Sequence, residues 1–167
     1  VNIDGAEMAY HIEPVPFSTT FRFDWVKAPL SMNMRLHRMA EAKIVRELRS
    51  MMHAKARIIP ELGRCEVRLI WYVTTNHRRD EENIIPVLKA LCDGLVDAEV
   101  VEDDTPRFMH KLMPEIVKIN ARDDTAHFEF TITEIAAVVD TVPKDIALKA
   151  AARVTQKNAE LLRRLED

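Results

Sequence analysis

Cysteine is scarce in this sequence. Cys65 and Cys92 are the only two in 167 residues; they form no CxxC pair, and no histidine-rich spacing stands beside them. That argues against a zinc site and against a disulfide framework, and two lone thiols suit a reducing compartment. Long apolar runs are missing as well, none approaching the roughly 20 residues of a membrane-spanning helix. No basic stretch followed by a hydrophobic one opens the chain, so no secretory leader is expected and the protein reads as soluble and intracellular. Nor is there an excess of positive charge. The formal net charge is −3 with a pI near 6.1, so any nucleic-acid contact must come from a local patch. Repeats and low-complexity tracts are absent.

What is present is enough apolar sequence, 47%, for one domain with a proper core plus an appendage. Residues 1–16 end in Glu13-Pro14-Val15-Pro16 and read as a loosely held arm. FSTTFRFDWV, from Phe17 to Val26, is rich in aromatic and β-branched residues and predicts a strand that Pro29 ends. Ser31 or Asn33 can then cap a helix running to about Arg57, its buried stripe being Ala40, Ile44, Leu48 and Met51. After a turn at Ile58–Gly63, a strand from Arg64 to Thr75 puts Cys65, Val67, Leu69 and Trp71 on one face. Its WYV run, apolar on both faces, suggests a central place in the sheet.

Pro86 fits only the first turn of a helix, where its missing N–H has no partner anyway. The next helix therefore spans about Ile84 to Asp97 and is capped by Glu82 or Asn83. Ile84 or Ile85, Leu88, Leu91, Cys92 and Leu95 form its stripe. Val100 and Val101 continue as a short strand or an extended loop. Phe108–Ile119 reads as strand broken at Pro114, and HFEFTITEI (His127–Ile135) as a strand with Phe128, Phe130 and Ile132 on one face. Beyond Pro143 a last helix carries Ala147, Ala151, Val154, Asn158, Leu161 and Leu165 at heptad-like spacing. Under three heptads long, it is expected to pack on its own domain rather than pair two chains.

The chemistry concentrates between Arg78 and Arg107, in RRDEENIIPVLKALCDGLVDAEVVEDDTPR. Asp80, Glu81 and Glu82 form one acidic cluster; Glu102, Asp103 and Asp104 form a second, one helix later. If the helix lies back against the preceding strand, the clusters can meet and offer the all-oxygen ligands a hard cation such as Mg²⁺ takes. Any single acid is as well explained by a solvated loop; two clusters flanked by Arg78, Arg79, Lys89 and Arg107 favour a site. Lys89 has two readings: an exposed pair with Asp93, worth ~0.3–0.5 kcal/mol, or a side chain leaning back toward the acids. In the upstream SMNMRLHR, the cations Arg35, His37 and Arg38 oppose the helix dipole. Either an anion such as phosphate relieves them, or they are ordinary surface residues.

RRDxxNIIPxLKxxxDGL…VVxDD, with the later FTITEI strand and the upstream PLSMNMRLHR, resembles the RusA-type Holliday junction resolvases, in particular phage and prophage versions. The resemblance covers about Phe17 to Ile135. It implies a mixed α/β (α+β) fold: a small, mostly antiparallel or mixed sheet packed by two helices. The nuclease-like domain spans 17–140, between the arm (1–16) and the C-terminal amphipathic helix (141–167). It also implies a homodimer that nicks four-way DNA junctions with Mg²⁺, or Mn²⁺ in its place, in a bacterial host cytoplasm; no nucleotide cofactor and no membrane are involved. The family's catalytic acids fall on Asp80, Glu82 and Asp104, with Asp103 beside the last, and its lysine on Lys89. Asp80, Glu82, Asp103 and Asp104 would hold the metal against the scissile phosphate while water attacks in line, and the metal and Lys89 would stabilise the developing charge. DNA would meet Asn33, Arg35, His37, Arg38, Arg78, Arg79, Asn83, Arg107 and Lys111. Two-fold symmetry suits a junction with two equivalent strands to cut.

Two positions depart from the pattern. Glu82 stands where the family has aspartate, and its extra methylene moves the carboxylate by roughly an ångström for an ion that demands near-ideal octahedral geometry. Glu99 stands where relatives have glycine at a helix end; in a left-handed conformation it would cost about 1 kcal/mol. Two alternatives follow. The chain binds junctions with cleavage blunted by Glu82, or it is an interaction module that uses its last helix and keeps its acids as plain surface.

Overall fold

The structure, a computed structural model, describes residues 15–135. Most of the expected arm (1–16) and all of the expected last helix (141–167) lie outside the described residues. The chain divides into two compact units, Val1–Ala137 and Val138–Asp167, and everything below belongs to the first.

In chain order the elements are β1 (Ser18–Phe23), α1 (Arg38–Ala56), β2 (Cys65–Val73), a 3₁₀ turn (Glu81–Ile84), α2 (Ile85–Asp97), β3 (Met109–Lys111), β4 (Glu115–Lys118) and β5 (His127–Glu134). The fold is mixed α+β: one mixed five-stranded sheet and two helices. β2 lies inside the sheet, as its apolar run suggests. It pairs antiparallel with β5 on one side and parallel with β3 and then β4 on the other, while β1 lies antiparallel along the far edge of β5. β3 and β4 follow each other along one edge because Pro114, between them, has no N–H to give the ladder.

Register puts the large apolar residues in rows. Val67 faces Ile132, Leu69 faces Phe130 and Trp71 faces Phe128; Phe21 and Phe23 extend the last two rows onto β1. Phe128, Phe130, Ile132, Val67 and Leu69 are fully buried, each contributing roughly 1.5–3 kcal/mol. The opposite face is polar, as expected of a sheet covered on one side only. Thr20 and Thr131 hydroxyls are 2.9 Å apart, Arg68 makes a two-pronged pair with Glu115 (2.8 Å each), and His110 meets Glu66 at 2.9 Å.

The connections β1–α1–β2 and β2–α2–β3 both join parallel strands and step the same way across the sheet, so right-handed crossovers set both helices on one face. There they touch. A Cβ on Gly94 would come within 2.7 Å of the Arg49 carbonyl oxygen and of Met52 Cβ, so this glycine exists for close approach. Leu48, Met52 and Ala56 carry the buried side of α1, with Ile44, Val45 and Met51 partly covered; Ala40, expected in the stripe, is exposed. Cys65 and Cys92 are buried in this layer.

Three boundaries differ from expectation. β1 is only Ser18–Phe23. α1 starts at Arg38 rather than after Ser31 or Asn33, because residues 31–36 make a turn (Met34 N–H to Ser31 O, 3.0 Å) that docks on the acidic motif (Met32 N–H to Asn83 O, 3.0 Å). α2 begins at Ile85, with the 3₁₀ turn absorbing the residues expected as its cap. Its end closes with Glu99 N–H on Val96 O (2.9 Å) and Val100 N–H on Leu95 O (3.1 Å), a Schellman motif that requires a left-handed residue. Glu99 supplies it at φ 58°.

Candidate functional site

β2 and β4 run parallel, and Val73 and Lys118 stand side by side at their carboxyl ends. In open sheets such ends are where crevices form. A cleft of ≈ 970 Å³ opens here, lined by Asn33, Thr75, His77, Arg79, Asp80, Glu81, Glu82, Asn83, Ile116 and Lys118, among others. A second depression of ≈ 560 Å³ shares Asn33, His77, Arg79, Asp80 and Asn83 with it, and adds Trp71 and Arg78. Trp71 is stacked on Phe128 at 5.1 Å, and the Arg79 guanidinium lies 5.1 Å over its ring. Arg79 also donates to Thr75 O (3.1 Å), His77 O (3.0 Å) and Thr75 Oγ1 (2.7 Å). Arg79, expected from the sequence as a DNA contact, here braces the turn that carries the acids.

Asp80 precedes the 3₁₀ turn without capping it. It, Glu81 and Glu82 are exposed, and among the described residues their carboxylates have no hydrogen-bond or ion-pair partner. The second cluster is different. Asp104 Oδ2 accepts from Lys111 Nζ at 2.8 Å and from Lys89 Nζ at 2.9 Å, and Lys89 also donates to Asp93 Oδ1 at 2.8 Å. Hydrogen bonds from Lys111 and then Lys89 hold the Asp104 carboxyl down at about 2; Asp93 and then Asp104 push the Lys89 ammonium up. The expected pair of Lys89 with Asp93 is therefore present and is joined by Asp104, while the lysine does not line the cleft that holds the first acidic cluster. Asp103 Oδ1 accepts the Asp104 N–H at 2.7 Å, closing a local turn. On the far side, Arg49 ties Asp97 and Asp93 of α2 to α1.

Among the described residues, no three histidine, cysteine, aspartate or glutamate side chains stand close enough to hold one metal ion. Of the four expected ligands, Asp80 and Glu82 stand open, Asp103 accepts only the Asp104 N–H, and Asp104 is held by two lysines. Asp80 and Glu82 still fit a hydrated Mg²⁺, which needs only one or two carboxylates and keeps several waters.

The expected DNA contacts scatter. Asn33 and Asn83 line both depressions, and Arg78 the smaller. Lys111 is spent on Asp104; it emerges on the helix-covered face, opposite Val67. Arg107 lies over the Phe108 ring at 5.2 Å. Arg35 and Arg38 are exposed. His37 turns out to be the N-cap of α1, its Nδ1 accepting the Met39 N–H at 3.3 Å. An accepting nitrogen carries no proton, so in this arrangement the ring relieves the helix end instead of opposing it. His77 and Lys118, neither singled out by the sequence, line the cleft. Lys118 arrives by strand register, which no local pattern reveals.

No family model matches the chain, and no curated protein matches it. Among solved structures, the hydrogenase maturation protein HypE in complex with ATP is similar at 9% identity and a TM-score of 0.28, over 75% of this chain and 32% of that one. The chain thus spans about a third of that protein's length, and an overlap this slight bears on neither fold nor activity. Among the described residues, no helix is long and apolar enough to cross a membrane.

Proposed function

We propose that this chain is a Mg²⁺-dependent endonuclease of RusA type that nicks four-way DNA junctions as a homodimer, with Mn²⁺ an alternative ion. It would act in a bacterial host's cytoplasm, in recombination, repair or phage DNA processing. The observation that carries the reading is the cleft at the carboxyl ends of β2 and β4, where three carboxylates without a partner among the described residues, Asp80, Glu81 and Glu82, share one cavity with Arg79, His77, Asn83 and Lys118. It is supported by the RRDxxNIIPxLK…VVxDD motif, whose first acids line that cleft. Asp80 and Glu82 would hold the ion, which when bound polarises the scissile phosphate and lowers the pKa of a water. The chain's own contribution is positioning and charge. The Arg79 arch fixes the turn, Asn33 and Asn83 offer amide donors and acceptors to the sugar-phosphate backbone, and the cations of the cleft favour an anionic substrate.

The test is a nicking assay on an end-labelled junction and a matched linear duplex, with and without Mg²⁺. Paired nicks near the crossover, dependent on metal and faster with Glu82→Asp, are expected. Equal treatment of junction and duplex would sink the reading. The capture of Asp104 by two lysines favours one alternative, a junction-binding protein of this fold that does not cut. It predicts salt-sensitive junction binding with intact DNA under every metal.

A further inference from the structure

Lys118 reaches the cleft through the sheet. Trp71 pairs with Ile116 in one row and Val73 with Lys118 in the next row but one, all on the helix-covered face. The lysine therefore projects at the carboxyl end of β4, where it lines the same cavity as Asp80, Glu82 and His77. It is exposed, and among the described residues its ammonium has no carboxylate within ion-pair distance. Lys89 is placed otherwise. Asp93 at 2.8 Å and Asp104 at 2.9 Å already compensate its charge, and it does not line the cleft. A cation that stabilises a phosphoryl transition state must bring uncompensated charge to the place where negative charge develops.

Resting on the endonuclease reading, we propose that Lys118, rather than Lys89, is the lysine that contacts the scissile phosphate. Lys89 is then a brace that ties α2 to the segment before β3. In the reaction, the water oxygen bonds to phosphorus and the P–O bond to one deoxyribose breaks. One water proton goes to the departing sugar oxygen and the other to solvent. Lys118 keeps its proton throughout and donates hydrogen bonds to the non-bridging oxygens, whose charge grows as the attacking oxygen closes in.

The experiment compares Lys118→Met, Lys118→Arg and Lys89→Met in the full chain. Single-turnover nicking, junction binding by gel shift, Mn²⁺ binding by electron paramagnetic resonance and the thermal midpoint are read for each. Lys118→Met is expected to lose about 10²–10³-fold in nicking rate, the size of effect seen when one preorganised donor is removed, with junction binding within a few-fold. Its Mn²⁺ affinity is expected to be unchanged or higher, since a cation sharing the cavity with the carboxylates has gone. Lys118→Arg is expected to recover part of the rate. Lys89→Met is expected to lower the midpoint and to cut at least about tenfold faster than Lys118→Met. Unimpaired nicking by Lys118→Met, or loss of nicking in a folded Lys89→Met alone, would overturn the assignment and leave the endonuclease reading standing. A wild-type chain that never cuts would overturn both.

Discussion

Asp80, Glu81 and Glu82 stand at the entrance to α2 with open carboxylates, whereas Asp104, beyond the end of the same helix, already carries two ammonium groups on one oxygen. As strings the two clusters look alike. They differ in which cations the surrounding elements aim at them. Lys89 leans from α2 and Lys111 rises from β3 on the covered face, and both converge on Asp104; Lys118 enters the other cavity and takes no acid partner among the described residues. Availability, rather than count, separates a ligand-binding carboxylate from a structural one.

The largest effect that would sharpen this contrast is on chemistry. Asp80→Asn is expected to lower metal-dependent nicking by about 10²-fold or more, the several kcal/mol a Lewis acid supplies, with its thermal midpoint unmoved because the side chain holds nothing together. Asp104→Asn should behave in the opposite way, costing about 1–2 kcal/mol of stability by urea unfolding at pH 7. The carboxyl sits at about 2 rather than 3.8, a difference worth about 2.4 kcal/mol at full value and discounted here because Lys89 is more than half exposed. Folding depresses this group, so its contribution is complete above the unfolded value and is lost as pH falls toward about 2. The gap between wild type and Asp104→Asn should therefore close over that window. Should Asp104→Asn leave stability intact yet weaken Mn²⁺ binding, the clusters would be one site and the contrast would fail. The smallest effect expected is from Glu99→Gly, a gain of about 1 kcal/mol or less from releasing the left-handed glutamate, seen as a modest rise in midpoint with nicking unchanged.

Much of this arrangement was legible in local sequence. Pro86 located the start of α2 to within a residue, the period-two run of His127–Ile135 marked β5, and Lys89 was readable as a partner of either Asp93 or the acids. The left-handed residue at Glu99 was flagged only through the family resemblance, as a position where relatives carry glycine, and not by local pattern. What sequence could not carry was long-range. His37 replaces Ser31 or Asn33 as the cap of α1 only because the Met32 amide is claimed by Asn83. The capture of Lys111 by Asp104 and the arrival of Lys118 at the cleft both depend on β3 and β4 pairing with β2 in one register, and a shift by a single residue would send both lysines to the polar face.

The two buried thiols give this chain a built-in clock. Burial pushes Cys65 up to about 11 and Cys92 up to about 12, and neither offers sulfur to solvent. A thiol reagent at neutral pH can react with them only when the layer between sheet and helices parts. With no other cysteine in the chain, the rate of labelling counts openings of the core directly, with no engineered probe.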